Sequence, residues 1–214
     1  MKKRFLSIIL VCILVSQVSV FARPEPSRIE KPGQWTLQVR YEHPRQIQVQ
    51  LPGWEKPRRF WYLILSVTNE SFQQEIPFFP KCELVTNTFK VYPAGQGSQE
   101  QIYDLIRQRH VGQYPFLESL NYTDTRIRKG ADNTRDFVII LSDFDPQADH
   151  INIFIGGLSN ETAVVMHPIR RNEMGQPEKI YLQKTLQLTY SLGADPKLRQ
   201  QANLQFVEQN WIMR

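Results

Sequence analysis

From residue 34 onwards, apolar and polar positions alternate along most of the chain. The densest apolar run covers residues 60–69. There Trp61, Leu63, Leu65 and Val67 fall on one side of an extended backbone and Phe60, Tyr62 and Ile64 on the other, which predicts a mid-sheet strand covered from both faces. The clearest one-sided pattern sets Ile180, Leu182, Leu186, Leu188 and Tyr190 against Tyr181, Gln183, Thr185, Gln187 and Thr189, with Lys184 alone breaking the apolar side. Half-buried strands also follow from Trp35, Leu37, Val39 and Tyr41, from Ile47, Val49 and Leu51, from Cys82, Leu84 and Thr86, and from Ile151, Ile153 and Ile155. Apolar runs at 137–141 and 163–166 and a short piece at 90–92 read as strands too, and the closing segment at 204–213 as a strand with a terminal helix as the alternative. Residues 76–80 carry Pro77 and Pro80, which cannot donate to a ladder, and so predict an edge.

One stretch changes period. Ser98-Gln99-Glu100-Gln101 fits a capping box, Ile102, Leu105, Ile106 and Arg109 follow at helical spacing, and Gly112 supplies a stop, predicting a short helix over about 99–110. Residues 113–133 are mixed, so the helix belongs to an insertion over about 95–133. About nine strands with one helix predict an all-β protein, an antiparallel β-sandwich over residues 34–214, because helices are too few to cross over a parallel sheet.

The run Leu63-Ile64-Leu65-Ser66-Val67-Thr68-Asn69, then Phe78, Phe79 and Pro80, then Leu84, Val85, Thr86 and Tyr92, resembles the immunoglobulin-like domains of uncharacterised exported bacterial proteins. The resemblance covers about residues 34–92 and implies an immunoglobulin-like sandwich, with no activity attached. The paired cysteines of antibody domains are missing, and the helix-bearing insertion departs from the simple sandwich.

The N-terminus has a different character. Lys2, Lys3 and Arg4 precede an uncharged apolar run to Phe21, closed by Ala22, which reads as a signal peptide over residues 1–22. A retained membrane anchor is the rival, since the run is near the shortest length that spans a bilayer. The exposed-looking Arg23-Pro24-Glu25-Pro26 that follows favours cleavage, and residues 23–33 form a Pro-rich leader. The expected location is secreted or periplasmic. Without residues 1–22 the chain keeps 23 of its 26 Lys+Arg against 21 Asp+Glu, a net charge of +2. So small and mixed a charge excludes a nucleic-acid partner, which needs clustered cations. Cys12 leaves with the signal, so Cys82 has no intrachain disulfide partner.

Candidate chemistry is sparse. Asp143, Asp145 and Asp149 crowd one inter-strand loop and could supply oxygens to calcium, a hard cation wanting six to eight of them, but they lack the spacing of an EF-hand and read first as ordinary turn formers. His43, His110, His150 and His167 share no zinc-ligand spacing. Cys82, in an apolar strand, reads as packing rather than a nucleophile. Ser159 is not in a nucleophile-elbow motif. Asn69, Asn121 and Asn160 head glycosylation-type triplets that chance also produces. Trp35 and Trp61 fall in core positions and Trp211 in the closing segment, leaving Trp54 in its Pro-Gly turn as the one tryptophan free to stack on a sugar.

No catalytic, cofactor-binding or metal residue is assigned. The expectation is an exported, monomeric, non-enzymatic binding or structural module of the cell envelope, meeting an envelope protein or polymer. The alternative is a carbohydrate- or calcium-binding accessory domain. The expected contact is the insertion, with Arg126, Arg128 and Lys129 as a cationic patch.

Overall fold

The run at residues 60–69 becomes the centre of the molecule. A computed structural model describes residues 24–95, 99–120, 126–193 and 204–214; the signal peptide expected at 1–22 and the capping Ser98 lie outside them. Strand β3 (Arg58–Thr68) pairs with β9 (Arg135–Ser142) along one edge, and with β1 (Gln38–Tyr41) and β2 (Arg45–Val49) along the other. The short β7 (Glu118–Ser119) extends this sheet beyond β9. The second sheet runs in the order β11 (Thr162–Arg171), β12 (Pro177–Ser191), β10 (His150–Gly156), β5 (Lys81–Thr86) and β6 (Val91–Pro93), with β13 (Gln205–Met213) also on β12. Strands β4 (Glu75–Pro77) and β8 (Arg126–Arg128) form a separate pair.

Two cores result, one on each side of β3. Trp61, Leu63, Leu65 and Val67 meet Leu84, Ile151, Ile153, Ile155, Leu186, Leu188 and Tyr190 between the sheets. On the far side Phe60, Tyr62 and Ile64, with Ile47, Val49, Val138 and Ile140, are covered by Ile102, Tyr103 and Ile106 of helix α1 (Gln99–His110). The helix therefore makes a third layer, and a strand apolar on both faces is explained by having a sheet on one and a helix on the other.

Three expectations need correcting. Thirteen strands are present among the described residues, where about nine were expected; β7 and β8 are too short to show an alternation. The sandwich is not wholly antiparallel, because β7 runs parallel to β9. The buried helix stripe is Ile102, Tyr103, Ile106 and His110, while Leu105 stays 42% exposed. The insertion expected to make the contact thus contributes Ile102, Tyr103, Ile106 and Leu117 to core cover.

The junction of β1 and β2 carries an added residue. Tyr41 lies opposite Leu65 and Arg45 opposite Tyr62, four residues against three, so the strand bulges at Glu42–Pro44 and its side chains change face. Leu37, Val39 and Tyr41 serve the inter-sheet core, while Ile47 and Val49 serve the helix-covered one. Gly157 plays a comparable part after β10. Its φ is +82°, and a Cβ there would lie 2.5 Å from the Phe79 carbonyl oxygen, so only glycine lets the chain leave the sheet at this point.

Candidate interaction surface

Strand β12 is fifteen residues long, and its two halves have different neighbours. Lys184–Ser191 pairs with β13 along one edge, and residues 186–191 of it with β10 along the other. Pro177–Leu182 pairs with β11 alone among the described strands, and Gln183 lies between Thr162 of β11 and Arg214 just beyond β13. The β11–β12 hairpin therefore stands out from the second sheet as a two-stranded arm. Its tip is a turn pinned by Asn172, whose Oδ1 accepts from the Met174 and Gln176 amides at 3.1 and 2.9 Å. Along β11 the His167 Nδ1 accepts from the Ile169 and Arg170 amides, and regular register is lost beyond Met166.

Both faces of the arm carry apolar side chains, one of them interspersed with Thr162, Lys179 and Gln183. Val164, Met166 and Tyr181 are 49%, 55% and 67% exposed on one face, while Ala163, Val165, Ile180 and Leu182 lie half-buried on the other. Towards the tip Ile169 and Met174 are each 84% exposed. A surface strand ordinarily turns one polar face to water, so apolar side chains on both faces mark a contact surface.

The arm is rooted in a buried polar cluster. Lys184, the residue that broke the alternation, forms an ion pair with Glu161 at 3.1 Å, both side chains under 9% exposed. Lys184 Nζ also donates to Thr36 Oγ1 at 3.3 Å and lies 5.4 Å from the Trp211 ring centroid. The Ser27 amide donates to Glu161 Oε1 at 2.6 Å, tying the leader to the root. Burial pushes the Glu161 carboxyl up, but the Ser27 bonds and Lys184 outweigh it and leave the group below its ordinary value. Ser159 Oγ donates to the Trp35 carbonyl at 2.8 Å and accepts from the Glu161 amide at 3.1 Å. Its hydroxyl is committed to the root and is not poised as a nucleophile.

The other candidates are dispersed. Asp143 accepts from Arg59 Nη2 and Trp61 Nε1 at 2.8 and 3.1 Å, Asp145 from Thr88, Gln147 and Lys90, and Asp149 from Asn87 and His150. Asp143 serves β3, while Asp145 and Asp149 both hold the β5–β6 turn at residues 87–90, each through partners of its own. Among the described residues no three His, Cys, Asp or Glu side chains are gathered to hold a metal ion. His43 shares a hydrogen bond with the Tyr190 hydroxyl at 3.1 Å, and His110, at the end of α1, shares one with the Tyr62 hydroxyl at 3.0 Å. Cys82 is buried, and burial pushes its thiol up, away from thiolate chemistry.

Trp54 is half-buried, stacked on Phe60 with ring centroids 6.0 Å apart, and the Arg58 guanidinium lies 4.4 Å from its centroid; it is not a free sugar platform. Trp35 and Trp61 are core. Arg126 and Arg128 both pair with Glu75, at 3.2 and 3.3 Å. Their cleft, about 560 Å³, also holds Arg135, paired with Glu118, and Asp132 and Asp136, so the two arginines of the expected patch sit in a mixed-charge cleft that does not include Lys129. Asn69 is fully buried with its amide donating to the Gln73 and Ile127 carbonyls, and the Asn160 amide bridges Trp35 and Gly33. Asn121 lies outside the described residues.

The arm residues Val164, Met166 and Tyr181 were legible as strand but not as contact. The available signal was that residues 162–168 contain no Asp, Glu, Lys or Arg. Comparison with protein-family models, curated proteins and solved structures gives no match for the chain. No helix among the described residues is long and apolar enough to cross a membrane.

Proposed function

We propose that this is an exported, non-enzymatic binding or structural module of the cell envelope that makes its contact through the β11–β12 arm. The observation that carries this is the arm itself, with apolar side chains on both faces, projecting beyond the paired body of its sheet. Export is supported by the basic, apolar and small-residue order of residues 1–22. An immunoglobulin-like frame is supported by strand order. Taking β1, β3, β9 and β7 as A, B, E and D, and β6, β5, β10 and β12 as C′, C, F and G, gives the two sheet orders of that fold. The parallel β7, the helix between β6 and β7, and the additional strands β2, β11 and β13 depart from it. The accessory-domain alternative has less support, because the three loop carboxylates take separate partners and Trp54 lies against Phe60 and Arg58.

The test is a photo-crosslinking amino acid placed at Met166 in the arm or at Glu55, an exposed turn residue, with the chain expressed in its own envelope. Adducts are expected from Met166 and not from Glu55. Adducts from neither position, or from Glu55 alone, would remove the arm as the contact.

A further inference from the structure

The outer edge of the arm has hydrogen-bonding groups to offer. Gln183 exchanges both backbone hydrogen bonds with Arg214, at 2.7 and 3.0 Å, so its amide and carbonyl point away from β11. Thr162 lies opposite Gln183 and therefore turns its own amide and carbonyl outward. By the two-residue repeat so do Val164 and Met166. Among the described residues no strand pairs with this edge. Exposed edges are normally blunted by charged side chains, yet residues 162–168 carry no formal charge. Pro168 has no amide to donate, and regular register ends at Met166. The usable edge is Thr162-Ala163-Val164-Val165-Met166, centred on Val164.

We propose that the occupant of this edge is a second copy of the chain, its β11 laid antiparallel to the first about a two-fold axis through Val164. The proposal rests on the arm being the contact surface and says what that surface contacts. In this register Val164 faces Val164 of the second copy, Thr162 faces Met166, and Ala163 faces Val165. Every outward amide meets an outward carbonyl, and no like charges are opposed, since none of the five positions is charged. Arg170 and Arg171 stand clear of the ladder. The contact is isologous and closes on itself. It also converts two hairpins, each marginal as an isolated ribbon, into one continuous sheet, and it merges Val164, Met166 and Tyr181 of both copies into one apolar face. A foreign extended segment would satisfy the same amides, but nothing in the arm selects one, whereas the arm's own sequence suits every position of its own edge.

The test is sedimentation of the full chain, expressed with its N-terminal segment so that any processing takes place, across a micromolar dilution series. A monomer–dimer equilibrium is expected. Val164→Pro removes the outward amide at the axis without touching the β11–β12 ladder, and should abolish the dimer while leaving the melting temperature unchanged at a dilution where the wild-type chain is itself monomeric. Val164→Lys and Val164→Glu each bring like charges together at the axis, so each should sediment as monomer, and mixing the two should restore the dimer. A wild-type chain that is monomeric throughout overturns the proposal, as does a Val164→Lys chain that dimerises like wild type or a mixture that stays monomeric. Adducts from Met166 to another polypeptide, with a monomeric wild-type chain, would leave the arm as contact surface and discard only the second copy.

Discussion

The two halves of β12 share one pattern and have opposite fates. Leu186, Leu188 and Tyr190 are fully buried between the sheets, while Ile180 and Leu182, on the same face of the same strand, are only partly covered. Nothing in the alternation distinguishes them. The difference comes from the neighbours. The second half lies between β10 and β13 and under the first sheet, whereas the first half has β11 alone. Alternation reports that a strand has an apolar face; what covers the face is a property of the topology. The border falls at Lys184, whose charge is tolerated inside because Glu161 and Thr36 meet it there.

That border is where the largest effect is expected. Glu161→Ala leaves the Lys184 ammonium buried without its carboxylate and should destabilise the chain by about 3–5 kcal/mol in urea unfolding. Replacing the pair together, Lys184→Met with Glu161→Leu, removes both charges and should recover most of that loss. A Glu161→Ala effect below roughly 1 kcal/mol would mean that the cluster is hydrated and does not separate body from arm.

Within the strand the comparison can be made residue against residue. Leu188→Ala should cost about 2–5 kcal/mol, because the inter-sheet core cannot collapse around the missing atoms. Leu182→Ala, on the same face but in the arm, should cost less than about 1 kcal/mol in the monomer. Equal costs would show that the arm is packed against the body as firmly as the sandwich is.

Most of the sandwich was legible in the residues. The two-faced run at 60–69, the alternations at 151–155 and 180–190, and the helix over 99–110 are all where periodicity puts them. What escaped depends on long-range partners. Both Leu37-Val39-Tyr41 and Ile47-Val49 fall on odd-numbered positions, so a single extended strand would put them on one face. The added residue at Glu42–Pro44 sends them to different cores, and only the pairing with β3 reveals it. Leu105 fits the helical stripe by spacing yet stays exposed, while Tyr103 is buried with its hydroxyl donating to the Leu117 carbonyl at 2.7 Å. The partners of the acidic loop were hidden for a related reason. Three carboxylates close in sequence look convergent, but the backbone gives Asp143 to Arg59 and both Asp145 and Asp149 to the β5–β6 turn, at Lys90 and Asn87. Lys184 was visible as an anomaly, and its meaning needed Glu161, twenty-three positions away in the sequence.

The smallest expected effect is a pH dependence belonging to the covered end of the sheet. Asp145 accepts from Lys90 Nζ at 2.9 Å, from the Gln147 amide at 3.0 Å and from the Thr88 hydroxyl at 2.8 Å. These hold its carboxyl down at about 2, against an ordinary value of 3.8. Between those two values the unfolded chain binds the proton and the folded chain does not, so stability falls as the pH drops. The contribution is complete above about 4 and lost as the pH falls through about 2. His110 behaves separately: burial first, then the nearby Arg45 charge, holds its imidazole below the ordinary 6.5. Its unfolded form protonates first, so its loss of stability begins as the pH falls through about 6.5. A series of melting temperatures should therefore show two acid limbs, and Asp145→Asn should flatten the lower one while leaving the limb that begins near 6.5 intact. An Asp145→Asn chain that keeps the lower limb in full would assign it to other carboxylates, Glu161 at the root of the arm first among them, and would move the acid-sensitive contact from the covered end of the sheet to the boundary at Lys184.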